Sequence, residues 1–289
     1  MNGIKQGLSA RLLSGTIGVV GLAFFVWVSH LSGLSILFLT PLLWLLYQGL
    51  KEYYRLAEAK GFTPFQTMAT SLGAAYLVAV YGKLLFPSPL LDVLPRLLLL
   101  VGGFTTAICA FAKTTGSLGN LAVTVFGFCY LVFPLSSLLE INYFSPPYQQ
   151  IDSRLWLVFA LAVPKASDIG AYFTGKLFGK HRLAPSISPN KTMEGAVGGL
   201  LASTITSLVW TWVCRESVGT VVLIHSLLWG VVLGLLAQLG DLSESILKRD
   251  ARVQDSSNLP GLGGVLDVLD SLVFTLPLMY LLMKAGVIV

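Results

Sequence analysis

The chain has 289 residues, 55% of them hydrophobic and only 11% charged, with a formal net charge of +5. Its mean hydropathy is +0.78, which excludes a water-soluble globular domain and requires a polytopic membrane protein. The positive balance suits a membrane surface rich in anionic lipid and calls for no nucleic-acid partner.

Apolar runs long enough to span a bilayer fall at about 12–29, 31–50, 66–86, 94–112, 118–139, 154–173, 195–214, 219–240 and 265–286. They predict an all-α polytopic membrane protein of about nine transmembrane helices. If the amino terminus is cytoplasmic, the outer segments hold only Lys83, Arg96, Arg154, Arg215 and Lys284 of the 19 lysines and arginines. That bias puts the amino terminus inside and, after nine spans, the carboxyl terminus outside. The first run lacks a small-residue cleavage pattern and reads as a retained helix.

Residues 1–65 read as a helical hairpin followed by a cytoplasmic segment. The latter, Lys51 to Phe65, either lies amphipathically on the inner face or extends the helix into water. Residues 66–160 are apolar and almost free of acids, as expected of scaffold or of a dimer interface. Residues 161–289 form the chemistry-bearing membrane region, and the three parts make one integrated membrane domain. Cys109, Cys129 and Cys214 sit in or at the ends of spans without metal-ligand spacing, and His30, His181 and His225 are scattered.

The first polar cluster runs from Pro164 to Gly195. Lys165, Asp168, Tyr172 and Lys176 follow at helical steps and share one stripe. Read conservatively, they form a buried ion pair tying helices together. The following SPNKTMEG places Ser188, Asn190, Lys191 and Glu194 before the next apolar run. They constitute either a helix cap with an acid in its first turn or a phosphate-gripping loop at a positive helix end.

The second cluster, Gly240 to Asp270, sets acids and bases between two apolar runs. Asp241, Glu244, Ser245 and Lys248 share a helix face, with Arg249 beside them. The glycine turn PGLGG at 260–264 allows close backbone approach to a ligand. Asp267 and Asp270, three residues apart, are expected on one helix face inside the last span. Carboxylates paired in this way repel unless a cation lies between them, and hard oxygen donors suit Mg²⁺. Acids for a divalent cation and bases for phosphates, beside lipid, point to phosphoryl or nucleotidyl transfer on a membrane-embedded substrate. Composition alone does not separate this from an ion-coupled transporter.

These residues resemble the phosphatidate cytidylyltransferases, also called CDP-diacylglycerol synthases. That family's signature is GDLxES, SxLKRxxxxKD, PGHGG and DRxD in order. Here GDLSES at 240–245, SILKR at 245–249, Asp255, PGLGG at 260–264 and DVLD at 267–270 are similar to it, and SPNKTMEG resembles the family's SPxKTxEG. Three positions depart: Gln254 replaces a usual lysine, Leu262 a histidine and Val268 an arginine. The acids are all kept, which argues for a divergent active enzyme, with Lys248 and Arg252 able to supply charge.

The resemblance implies transfer of CMP from CTP to phosphatidic acid, giving CDP-diacylglycerol and pyrophosphate. It also implies Mg²⁺, alone or with a second cation, a homodimer, and a bacterial inner membrane, with a eukaryotic organelle as the alternative; the basic-residue bias turns the site to the cytoplasm. Asp241, Asp267 and Asp270 are the expected metal ligands and, with Lys248 and Arg249, the catalytic set. Lys165, Asp168, Tyr172, Lys176, Ser188, Asn190, Lys191, Glu194, Ser245, Asp255, Gly261, Gly263 and Gly264 are the expected substrate contacts. A CTP-dependent polyprenol or dolichol kinase would use similar acids but release CDP, and the ion-coupled transporter needs no nucleotide.

Overall fold

The computed structural model describes residues 21, 24–31, 33–86, 88–111, 116–144, 152–215, 223–253 and 264–286. They form helices α1 (Ile36–Ala59), α2 (Gln66–Leu85), α3 (Pro89–Phe111), α4 (Ser117–Asn142) and α5 (Ser153–Phe178). Strands β1 (Arg182–Ala184) and β2 (Ser188–Thr192) follow, then helices α6 (Met193–Val213), α7 (Leu223–Asp250), α8 (Val265–Leu269) and α9 (Leu272–Lys284).

Seven helical stretches among the described residues are long and apolar enough to cross a membrane: α2 to α7, and Val265–Lys284 taken as one. The chain is therefore an integral membrane protein. Of the nine expected spans, the first is described only in its second half, at residues 21 and 24–29, of which 21 and 24–28 are helical. The second begins late, because residues 33–35 form a turn at Gly33, whose φ of 83° is left-handed, and the helix starts at Ile36. It is not among the seven, since its second half carries Lys51, Glu52, Arg55 and Glu58. The Lys51 to Phe65 segment continues α1 as far as Ala59, but one face of it is not solvated: Glu52, Tyr53, Tyr54 and Leu56 are buried.

The chain divides into two compact units, 1–139 with 250–268, and 140–249 with 269–289. In the first, α2 packs on α1 and α3. Buried residues of α1 recur at Leu39, Leu42, Leu46, Leu50 and Tyr53, the three-to-four spacing of a single helix face. Tyr53 stacks with Tyr130 at a centroid distance of 6.5 Å and meets Phe126 in a tilted contact at 5.9 Å, so an aromatic core joins α1 to α4. The connection into α2 is pinned to the same helix: Thr63 N donates to Asn120 Oδ1 at 2.8 Å and Phe65 N to Thr124 Oγ1 at 3.0 Å.

In the second unit, α5 and α6 pack along their lengths. The seam is made of Gly170, Ala171, Thr174, Gly198 and Ala202; a Cβ on Gly170 would strike Ala202 and the Gly198 carbonyl. Small residues allow helices to approach closely in lipid, where apolar side chains alone give little drive to associate. The one departure from an all-helical fold among the described residues is the β1–β2 hairpin, antiparallel with Arg182 opposite Thr192 and Ala184 opposite Ser188. Thr192 ends β2 and caps α6, its hydroxyl accepting from Gly195 N at 3.1 Å.

Candidate active site

Residues Lys165, Asp168, Tyr172 and Lys176 lie on α5 as the spacing predicts. Lys165 Nζ is 3.3 Å from Asp168 Oδ2 and 3.8 Å from Asp270 Oδ1, and it donates to Ser271 Oγ at 2.8 Å. One lysine thus ties α5 to the start of α9. Lys176 Nζ stands 5.7 Å from the Tyr172 ring centroid, a cation–π contact at the end of the same helix.

The hairpin brings in a second lysine. Ser188 to Thr192 are strand residues, not a loop, because β2 pairs with β1 before running straight into α6. Lys191 Nζ reaches Asp241 Oδ2 on α7 at 2.9 Å. Glu194, in the first turn of α6, accepts from Lys180 N at 3.1 Å and His181 N at 3.2 Å and meets His181 Nδ1 at 2.7 Å. Its carboxylate thereby fastens the entry to the hairpin. Arg249 fastens the other end, donating from Nε to the Ile187 carbonyl at 3.2 Å.

Helix α7 carries Asp241, Glu244, Ser245 and Lys248 in the predicted helical register. Glu244 is 2% exposed and Lys248 9%, and their charges meet at 2.6 Å. Asp241, Glu244 and Asp270 offer carboxylate oxygens that all lie within 4.8 Å of one another. This donor set fits a hard divalent cation, which takes oxygen ligands and relieves the repulsion among three close acids. Gly240 makes the arrangement possible: a Cβ there would run into the backbone carbonyl of Asp270, so only glycine lets α7 come this close.

The last span is not continuous. Helix α8 ends at Leu269, Asp270 and Ser271 form a turn, and α9 begins at Leu272. Asp267 and Asp270 therefore do not share one helix face, a correction to the expectation from their spacing. Asp270 instead accepts from Ser271 N at the break, and Asp267 Oδ2 accepts from Gly264 N at 2.7 Å. A broken helix inside a span exposes backbone groups where a polar site needs them. Glu244 takes the third place in the acidic group. It was legible as the residue three after Asp241, but its spacing alone did not rank it above Asp267.

A cleft of about 430 Å³ opens beside these groups, lined among others by Asp168, Tyr172, Lys176, Asn190, Lys191 and Asp241. Gln238, one turn before Asp241 on α7, also lines it and donates to the Ala196 carbonyl at 2.9 Å. Sequence reading passed over Gln238, although an amide within an apolar run was a visible signal. Lys165, Ser188, Glu194, Ser245, Lys248, Arg249, Asp267 and Asp270 are not among the lining residues. Asp255, Gly261 and Gly263 lie outside the described residues, as do Gln254 and Leu262; Gly264 is described and buried.

Acids and lysines drawn together beside a cleft, with three carboxylates close enough to share a cation, mark an integral membrane protein with a polar site among its helices. The profile of the cytidylyltransferase family matches residues 9–285, and the chain belongs to that family. It is 36% identical over 229 residues to a phosphatidate cytidylyltransferase of Chlamydia muridarum, covering 75% of this chain and 74% of the relative. It is 32% identical over 297 residues to a phosphatidate cytidylyltransferase of Synechocystis, covering 93% and 94%. With the phosphatidate cytidylyltransferase of Bacillus subtilis the identity is 43% over 129 residues, 44% of this chain and 47% of that one.

Proposed function

We propose that this protein transfers CMP from CTP to phosphatidic acid, releasing pyrophosphate and leaving CDP-diacylglycerol in the membrane. The carrying observation is the alternation of acids and lysines: Lys165 beside Asp168 and Asp270, Lys191 beside Asp241, Lys248 beside Glu244. It supports a site that handles a cation and several phosphates at once. Membership of the cytidylyltransferase family and the names of its relatives support the substrates.

In this reading Asp241, Glu244 and Asp270 would hold Mg²⁺, and Asp267 stays a candidate on its sequence motif alone. When bound, the metal neutralises charge on the triphosphate and its leaving group. A lipid phosphate oxygen attacks the α-phosphorus of CTP, and the bond to the β-phosphate oxygen breaks. The attacking phosphate is already anionic at neutral pH, so no strong general base is needed, and positioning with charge neutralisation carries the catalysis. Lys165, Lys176 and Lys191 contact phosphates, and Tyr172 and Asn190 shape the cleft around them. Glu194 and Arg249 hold the hairpin that presents Lys191.

The same reading puts the amino terminus and the site on the cytoplasmic side of a bacterial inner membrane, on the strength of the basic-residue bias. It makes the active form a homodimer, on the strength of the apolar middle third. The test is incubation of detergent-purified protein with phosphatidic acid, α-labelled CTP and Mg²⁺, with and without chelator. Metal-dependent label in the lipid phase is expected. Unlabelled lipid with CDP release would replace this reading with lipid kinase activity, and no consumption of CTP would overturn both.

A further inference from the structure

Gln238 lines the cleft one turn before Asp241 and has no part in the functional reading above. Its amide has one orientation. The Ala196 carbonyl only accepts, so the group 2.9 Å from it is the NH₂, whose nitrogen also makes a longer contact to Ser167 Oγ at 3.5 Å. Ser167 is fully buried and donates its own proton to the Gly234 carbonyl at 3.4 Å. Both donors of the amide are therefore taken, and its oxygen is left over. Among the described residues nothing donates to Oε1, and the oxygen is not closed off inside the protein.

A glycine makes this placement possible. A Cβ on Gly199 would stand 2.9 Å from Gln238 Nε2 and 2.9 Å from the Ser167 carbonyl, so the amide occupies a notch between α5 and α6 that a side chain at 199 would fill. Anchored on both helices, the side chain holds its oxygen in position before a ligand arrives, which is what selective recognition requires. All these residues lie in the second compact unit, with the rest of the cleft and the three acids.

The surroundings say what that oxygen receives. Lys176 and Lys191 bring cations to the cleft wall, and Asp168 and Asp241 bring carboxylates. Ionised phosphate oxygens accept and do not donate, so they suit the lysines and are repelled by an amide oxygen. Oε1 calls instead for an uncharged N–H or O–H donor. In CTP those donors are the ribose hydroxyls and the 4-amino group of the base. Gln238 and Asp241 are three residues apart on one helix, a rise of about 4.5 Å. The ribose is joined directly to the α-phosphate, whereas the amino group lies at the far edge of the base, so a contact this near the acids reaches the sugar. We propose that Gln238 is a specificity-determining residue for the nucleotide: its Oε1 accepts a hydrogen bond from a ribose hydroxyl of CTP. The inference rests on the proposed cytidylyl transfer with Mg²⁺ at the three acids.

The experiment measures kcat/KM for lipid labelling by wild type and Gln238→Met in detergent, with α-labelled CTP, 2′-deoxy-CTP, 3′-deoxy-CTP and UTP. Methionine keeps the length of the side chain and removes the amide. In wild type one deoxy analogue loses about 10- to 100-fold against CTP, because it leaves a positioned acceptor unpaired. In Gln238→Met the rate with CTP falls by a similar factor, and that analogue is used within about twofold of CTP. A purely structural role would lower all four rates together and leave their ratios unchanged. If methionine prevents folding, Gln238→Asn, whose amide is withdrawn by one methylene, carries the same comparison with the same expected collapse of discrimination. Equal use of CTP and both deoxy analogues by wild type overturns the contact and leaves cytidylyl transfer standing. Discrimination that survives in the variant gives the hydroxyl to another residue and overturns it too. Loss of selectivity against UTP alone moves Oε1 to the base and overturns the ribose assignment. A wild type that labels no lipid from CTP sinks the functional reading and the ribose contact with it.

Discussion

Lys191 Nζ and Asp241 Oδ2 lie 2.9 Å apart, joining a strand of the small hairpin to α7. The pair connects the two sequence clusters, SPNKTMEG and GDLSES, which are separated by the whole of α6. Lys191 lies at the cleft wall, and the proposed function has it contact a phosphate there. Lys191→Met keeps the apolar stem and removes the charge. Its kcat/KM for labelled lipid formation falls about 100-fold, the loss typical of one preorganised charge-stabilising donor. A wild-type rate would remove Lys191 from the site.

Gly240 offers a test that deletes no functional group. In Gly240→Ala the new methyl displaces the Asp270 carbonyl, and with it the turn that carries one acid of the group. Overpacking of this kind destabilises by about 1–3 kcal/mol. The melting temperature therefore drops, and turnover drops at least tenfold in the protein that remains folded. A variant that loses stability but keeps its rate would show that the turn tolerates the shift.

Asp270→Asn and Asp267→Asn separate the two acids of the last span. The first substitution removes one negative charge from the group that Asp270 forms with Asp241 and Glu244, so turnover falls about 1000-fold and more Mg²⁺ is needed. In the second variant the amide oxygen still accepts from Gly264 N, so the protein folds and inserts. Turnover is abolished if Asp267 acts on substrate or metal, and a rate near wild type would take it out of the site. Rates at several Mg²⁺ concentrations distinguish the two outcomes.

Chelation removes activity without unfolding the protein. Each acid of the group has a lysine within reach: Lys191 at 2.9 Å from Asp241, Lys248 at 2.6 Å from Glu244 and Lys165 at 3.8 Å from Asp270. Those ion pairs balance the carboxylates when no metal is bound. The expected result is loss of label transfer in chelator, unchanged helical circular dichroism and recovery on adding Mg²⁺. Collapse of the helical signal would make the metal structural.

Much of this protein is written in one dimension. Apolar run length follows directly from bilayer thickness, so α2 to α7 were legible, although α3 begins five residues before its apolar run, α5 ends five residues after it and α7 continues ten residues past it to Asp250. Helical spacing likewise placed Lys165, Asp168, Tyr172 and Lys176 on one stripe, and Asp241, Glu244 and Lys248 on another, because a continuous helix imposes its own period. Tertiary structure decided what periodicity cannot express. Asp267 and Asp270 lost their common face because the span breaks at Asp270, where the chain turns against Gly240. The residues 188–192 became a strand because β1 was there to pair with them. Glu52 acquired its partners from amides 213 and 214 residues away. Its acid stood in an ordinary amphipathic sequence, and only packing of α1 on α8 revealed that its charge faces backbone and not water.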